Sequence, residues 1–300
     1  MNDARQRFSD GYFTVRDGLR IHYRDYPGST DALPLLCLHG LTRNARDFAH
    51  LAERHSPKHR VIVAEFRGRG DSEWDPIPSR YNPLTYASDV IELLDQLQLP
   101  QAIFVGTSLG GLVTMAVAAV APQRIAAAIL NDVGPALEPV GLDRIMAYLG
   151  TDRRFETWEA AAQAIAISQG PSFPNYGPND WLAMAKRNCR DRDGEIVFDY
   201  DMNIALPFKT GGATPPIDLW PLFAALAQRP LLVIRGEISQ LLSEETFRKM
   251  QEVAPQAQFT SVRGVGHAPE LDEPEAVAAI DAFLASLPSR IGAPPQARAG

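Results

Sequence analysis

The order of apolar runs predicts an α/β fold, with a mostly parallel central sheet and helices on both faces. Three observations carry this expectation. The runs LPLLCLHG, HRVIVAEF, AIFVGTS, AAAILNDV and RPLLVIRGE are apolar almost throughout, as strands buried on both faces must be. Segments of helical period separate most of them. Strands that alternate with helices pair in parallel through crossover connections.

The elements follow in order. Tyr12 to Tyr26 alternates in β fashion on either side of Asp17-Gly18, read as a two-residue hairpin turn. TYASDVIELLDQLQL places Val90, Leu93, Leu94 and Leu97 on one helical face. The alternation stops at Pro135 and resumes at Arg229. The stretch between has helical pieces, such as Trp158 to Ile167, and Pro/Gly-rich loops, with no buried parallel strand. It holds 11 of the 25 aromatic residues in under a third of the length, so it reads as a mainly helical cap inserted after the sixth strand. Most of these rings are expected to pack a small subdomain and a few to face the cleft. Ser243 caps a helix that starts near Glu244. Pro274 starts a last amphipathic helix with Val277, Ile280, Phe283 and Leu284 inward. The expected division is therefore core 1–134, cap 135–228, core 229–290 and a disordered tail 291–300, rich in Pro, Ala, Gly and Arg.

Bulk composition narrows the partners. With 300 residues, 45% of them hydrophobic, the chain can bury a large core. A net charge of -7, spread along the chain, repels polyanions and argues against nucleic acid. Arg187, Arg190 and Arg192, interrupted by Asp191 and Asp193, read as a solvated loop. The two cysteines, Cys37 and Cys189, do not suggest a disulfide, because Cys37 lies in a buried strand; a reducing compartment fits. Met1 to Asp10 is polar and lacks the apolar stretch of a signal peptide, and no apolar stretch is long enough for a bilayer. The expectation is a cytoplasmic monomer or homodimer acting on a small-molecule substrate, with no membrane or nucleic-acid partner, no cofactor and no metal.

Gly106-Thr107-Ser108-Leu109-Gly110 has the G-x-S-x-G form. It lies between an apolar strand and a helix, the context in which such a turn exposes a serine nucleophile. The turn is tight enough that neighbours on both sides must lack side chains. The N–H of Leu109, at the helix start, then faces the carbonyl oxygen under attack. The competing reading is a glycine-rich turn with an incidental serine; a phosphate loop fits worse, since no Lys follows the glycines. A second oxyanion donor is expected in His39-Gly40-Leu41-Thr42 after the third strand, at the N–H of Leu41. Two such amides contribute on the order of 3 kcal/mol each in related sites. His39 itself reads as a loop-ordering residue. Among the six histidines, His267 lies in a flexible turn, Gly264-Val265-Gly266-His267-Ala268-Pro269, after a strand-like run and downstream of the serine. Imidazole can accept and return a proton near neutrality. For His22, His50, His55 and His59, solvent or structural roles are expected.

The series HGLTRN, EFRGRGDS, GTSLGG, LNDVGP, RGEISQLLS and GVGHAPELDEP resembles α/β-hydrolase-fold enzymes over roughly two thirds of the chain, most weakly in the cap. The resemblance implies Ser108 as nucleophile, His267 as general base and the amides of Leu41 and Leu109 as an oxyanion hole. It also implies an acid just past RPLLVIRGE, where this chain has Ser239 and Gln240. Three readings are open: Asp132, past the sixth strand, which is favoured; Glu237, at the end of the next; and a site with no functional acid. Asp132 can equally be a turn cap. The EFRGRGDS loop is assigned no chemistry, and Trp220 is a candidate pocket residue. The implied reaction is hydrolysis of a small to medium, partly apolar ester, lactone or thioester through an acyl-enzyme. The alternatives are hydrolytic C–C cleavage, a cofactor-free lyase or dioxygenase with His267 as base, and a non-catalytic binding protein. Serine at 108 argues against the aspartate-nucleophile dehalogenases and epoxide hydrolases of this fold.

Overall fold

The computed structural model describes residues 7–210 and 218–288. A hairpin of β1 (Ser9–Thr14) and β2 (Arg20–Tyr26) opens the chain, followed by β3 (Leu35–Leu38), α1 (Ala49–His55) and β4 (Val61–Ala64). Then come α2 (Pro83–Gln96), β5 (Ala102–Thr107), α3 (Leu109–Val120) and β6 (Ile125–Asn131). The next stretch carries α4 (Pro139–Tyr148), β7 (Arg154–Phe155), α5 (Trp158–Gln169), α6 (Pro178–Asn188), β8 (Cys189–Arg192), β9 (Glu195–Phe198), α7 (Leu206–Thr210) and α8 (Trp220–Leu226). The chain returns with β10 (Leu231–Gly236), α9 (Glu244–Val253), β11 (Gln258–Val262) and α10 (Pro274–Ser286).

The main sheet runs β1-β2-β4-β3-β5-β6-β10-β11. Its β1–β2 and β2–β4 pairs are antiparallel; the other five are parallel. Every residue of β3, β4, β6 and β10 is buried, which is why these strands read as unbroken apolar runs. Alternate side chains feed two cores. Leu36, Leu38, Ile62, Phe104 and Val233 pack with α2, α3 and α8 on one face. Leu35, Val63, Ile103, Ile129 and Ile234 pack with α1 and α10 on the other. Each fully buried Leu, Ile, Val or Phe stabilises the fold by about 1.5–3 kcal/mol relative to exposure. Ser243 and the proline at 274 begin α9 and α10 as the sequence predicts.

Two expectations need correction. The opening hairpin is not joined by a two-residue turn: Val15 N–H donates to Leu19 O at 3.0 Å and Gly18 N–H to Val15 O at 2.8 Å. The loop is thus three residues, with Gly18 at φ +89° supplying the left-handed position that such loops require. Arg187, Arg190 and Arg192 do not form a solvated loop. Arg187 lies in the last turn of α6, and the other two lie on β8 of a three-stranded antiparallel sheet, β7-β9-β8. Arg190 pairs with Asp71 and Asp199, Arg187 with Glu270, and Arg192 lies 5.0 Å over the Trp74 ring.

The segment between β6 and β10 has its own apolar cluster, with Ala161, Ile165, Phe173, Met184 and Ile196. It joins the rest of the chain through apolar residues, Leu149, Tyr200, Ile204 and Phe223, that pack into the main core, and through polar contacts: Arg46 bonds Asp199 at 2.7 Å, Asn44 donates to Arg187 O at 2.8 Å, and Gly266 N–H donates to Ser172 O at 2.6 Å. No helix among the described residues is long and apolar enough to cross a membrane. The tail expected at 291–300, and residues 1–6 of the polar N-terminus, lie outside the described residues.

Candidate active site

Ser108 stands at the bend between β5 and α3 with φ +51° and ψ −115°. For a non-glycine residue such a conformation costs on the order of 1–3 kcal/mol, and neighbours must hold it. Its N–H donates to Asn131 O at 3.0 Å, tying the bend to β6. The flanking glycines are required sterically. A Cβ at Gly106 would lie 2.6 Å from the Gly110 carbonyl carbon, and one at Gly110 would lie 2.0 Å from Leu38 O.

Asp132 follows β6 with φ +52° and is fully buried. Its Oδ1 accepts the Gly236 N–H at 2.8 Å; its Oδ2 accepts the Ser239 hydroxyl at 2.6 Å and meets His267 Nδ1 at 2.8 Å. An ionised carboxylate is acceptor-only, so His267 Nδ1 carries a proton and donates it. Nε2 is thereby left as an acceptor, and it lies 2.9 Å from Ser108 Oγ. The turn that carries His267 is anchored by Asn131 Nδ2, which donates to Pro269 O at 2.8 Å. Three side chains from separate parts of the sequence thus form one hydrogen-bonded line, Asp132–His267–Ser108.

The remaining candidates are placed as follows. Glu237 turns away from this line, with Oε2 accepting the Gly264 N–H at 2.8 Å on an exposed edge. Gln240 also faces outward, its Oε1 accepting from Arg144 Nη1 at 2.7 Å. Ser239, at the position where the acid was expected, serves as a donor to the acid instead. Leu109 opens α3, so its N–H is one of the first-turn donors with no acceptor inside the helix. The Gly40–Leu41 loop abuts the serine, since a Cβ at Gly40 would lie 3.7 Å from Ser108 Cβ. Trp220 does not border the cavity described below. It packs edge-on against Phe223, and Lys249 Nζ lies 4.4 Å from its ring centre, because α8 docks beside α9. His39 orders its loop: Nε2 accepts the Phe66 N–H at 3.1 Å, so Nδ1 donates to Gly40 O at 2.7 Å. Burial pushes its pKa down to about 4.

Sequence reasoning passed over three supporting residues. Arg69, in the EFRGRGDS loop, donates from Nε to Leu41 O at 2.9 Å and so holds the Leu41–Thr42 peptide, next to the one that carries the Leu41 N–H. Ser239 and Asn131 brace the acid and the histidine turn. Only Ser239 carried a signal, by standing where a carboxylate was expected.

Ser108 and His267 open into a cavity of about 440 Å³. Its apolar wall includes Phe48, Ile145, Ile165, Phe173, Met184 and Leu271. Of the aromatic residues between β6 and β10, Tyr148, Phe173, Phe198 and Tyr200 reach it. Outside the cavity, His22, Glu65 and Asp71 place possible ligand atoms within 4.8 Å of one another. The Glu65 oxygens there already accept from His22 and from the N–H groups of Ala45 and Asp71, so the cluster is a satisfied ion-pair network.

Comparison with known proteins agrees with this architecture. Residues 35–280 match the Alpha/beta hydrolase family. The chain is 34% identical over 275 residues to a 3-hydroxybutyrate-oligomer hydrolase of Cupriavidus necator, covering 88% of this chain and 92% of that protein. It is 27% identical to the esterase YbfF of Escherichia coli, covering 81% and 89%. A crystal structure of an alpha/beta hydrolase from Novosphingobium aromaticivorans, 50% identical, covers 93% of this chain and 98% of its own, with a TM-score of 0.89. The eight-stranded sheet, the serine bend after β5 and the match over most of the length lead to one conclusion: the chain belongs to the α/β-hydrolase family.

Proposed function

We propose that the chain is an esterase that works through an acyl-enzyme on Ser108. The observation that carries this reading is the 2.9 Å contact between Ser108 Oγ and His267 Nε2, with the far ring nitrogen held 2.8 Å from buried Asp132. In the proposed cycle, His267 Nε2 takes the hydroxyl proton as Oγ attacks the ester carbonyl. The amides of Leu41 and Leu109 stabilise the resulting oxyanion. Collapse of the tetrahedral intermediate expels the alkoxide, which receives the proton from His267. Water then attacks the acyl-enzyme by the same route, with the imidazole again as base. Asp132 keeps the proton on Nδ1 and stabilises the imidazolium that forms at each step.

The segment between β6 and β10 acts in this reading as the cap of the pocket, with Tyr148, Phe173 and Ile165 facing the acyl or alkyl chain. A cavity of about 440 Å³ suits a small to medium, partly apolar ester. Similarity to a hydrolase of 3-hydroxybutyrate oligomers, which are esters, supports the same class. The test is labelling with a fluorophosphonate probe alongside turnover of 4-nitrophenyl butyrate. Wild type should label and turn over, and Ser108→Ala should do neither. Equal labelling of both proteins, or turnover retained by Ser108→Ala, overturns the reading.

A further inference from the structure

The cavity that holds Ser108 has a charge pattern that its apolar lining does not require. Six charged side chains border it: Arg43, Asp47, Arg144, Arg153, Arg187 and Glu270. Two pairs neutralise themselves. Arg43 meets Asp47 in a bidentate contact, Nε–Oδ2 at 2.6 Å and Nη2–Oδ1 at 2.7 Å, and Arg187 is bonded to Glu270. Arg144 and Arg153 have no carboxylate partner among the described residues. Arg144 donates only to the neutral amide oxygen of Gln240. The neighbouring Arg154, by contrast, is paired with Glu195 at 2.6 Å. A pocket in a chain of net charge -7 therefore has two guanidinium groups without a carboxylate partner at its border, Arg144 half-buried and Arg153 exposed.

Arg144 is anchored at a defined place. Arg144 is tethered to Gln240, the residue after Ser239; Ser239 bonds Asp132, and Asp132 bonds His267. Arg144 thus borders the same cavity as Ser108 and His267 and is held at its rim by the turn that follows β10. Guanidinium recognises carboxylate by charge-assisted hydrogen bonds in a fork geometry. We infer that the substrate is an ester that carries a free carboxylate, as an acylated hydroxy acid does, and that Arg144 and Arg153 bind that carboxylate. Hydrolysis of an acylated hydroxy acid then adds water across one ester bond and releases a carboxylic acid and a hydroxy acid. The inference rests on the esterase reading and adds to it the charge of the substrate and the residues that read it.

The test compares 3-(butanoyloxy)butanoate with its neutral carboxamide, following butanoate release by chromatography. Wild type, Arg144→Gln, Arg153→Gln and the double variant are assayed at pH 7.5 in low and high salt. Wild type should favour the carboxylate by about tenfold in kcat/KM, mainly through KM, as one hydrogen-bonded charge contact provides. That ratio should shrink with salt and approach one in the double variant. A ratio near one in wild type, or an unchanged ratio in the double variant, overturns the inference and leaves the esterase reading intact. If neither ester is cleaved, the esterase reading fails, and calorimetry with 3-hydroxybutyrate then decides the carboxylate site. Saturable binding that the double variant lacks supports it, and no binding by wild type overturns it.

Discussion

Replacing Asp132 by Asn isolates the part played by its charge, because the surrounding hydrogen bonds dictate how the amide must sit. The Gly236 N–H can only donate, so the position of Oδ1 must stay an oxygen. The amide NH₂ is then forced into the position of Oδ2, facing Ser239 Oγ and His267 Nδ1. Ser239 Oγ already accepts the Leu241 and Leu242 N–H groups, so its own hydroxyl proton loses its acceptor when the amide NH₂ takes this place. His267 Nδ1 must also become an acceptor, which moves the ring proton to Nε2. That nitrogen would then donate to Ser108 Oγ and could no longer take its proton. The same exchange in a serine triad of another fold lowers kcat by about four orders of magnitude, or about 5 kcal/mol of transition-state stabilisation. The expectation for Asp132→Asn is a loss of that order in hydrolysis of 4-nitrophenyl butyrate. The thermal midpoint should fall by several degrees while the variant stays folded, since the Gly236 and His267 contacts can be remade but the buried Ser239 hydroxyl loses its acceptor. A loss below tenfold in a folded variant would refute the tautomer argument.

Two further expectations follow from the same geometry and from a buried network elsewhere. Glu237→Gln and Gln240→Asp should each change kcat by less than about threefold in the same assay, because both side chains face away from His267; a large loss in the first or a large gain in the second would contradict the placement of the acid on Asp132. The second expectation concerns pH. Burial opposes the His22 cation, but Glu65 and Asp10 outweigh it and hold its pKa above the ordinary 6.5. Burial likewise opposes the Glu65 anion, yet His22 and the Ala45 and Asp71 amides bring it down to about 2. A raised imidazole stabilises fully below its unfolded value and loses that stabilisation as pH rises through the folded value. A lowered carboxylate stabilises above its unfolded value and loses it as pH falls toward 2. Their joint contribution is therefore largest near pH 5 to 6. His22→Gln should cost about 3 kcal/mol in urea unfolding at pH 6, as breaking a buried pair does, and clearly less at pH 9. An equal cost at both values would show that the imidazole is not charged in the folded protein.

The central sheet is legible in the sequence because burial on both faces leaves β3 and β4 no polar positions and confines those of β6 and β10 to Asn131 and Arg235 near the strand ends. The serine bend is legible for a related reason, since Gly106 and Gly110 mark the two places where a side chain would strike backbone. The small sheet of β7, β8 and β9 is not legible. Its strands have two to four residues and include CRDR, so no apolar period exists to detect. The acid is only partly legible. Asp132 and Glu237 both follow buried strands, and the choice between them depends on side-chain direction at two neighbouring strand ends. Trp220 shows the limit of composition: an aromatic residue near the return to the core faces α9, because helix packing and not sequence proximity decides what borders the cavity.

The position of Asp132 changes which part of the scaffold fixes the geometry of the line. Ser108 follows β5 and Asp132 follows β6, and these two strands are paired in unbroken register from Ile103–Ala127 to Thr107–Asn131. The spacing of serine and carboxylate is therefore set by one continuous ladder of backbone hydrogen bonds. The turn after β10 supplies only neutral donors, the Gly236 amide and the Ser239 hydroxyl. Changes there tune how firmly the anion is held without moving its charge, so this turn is the place to adjust the activity of the site in small steps.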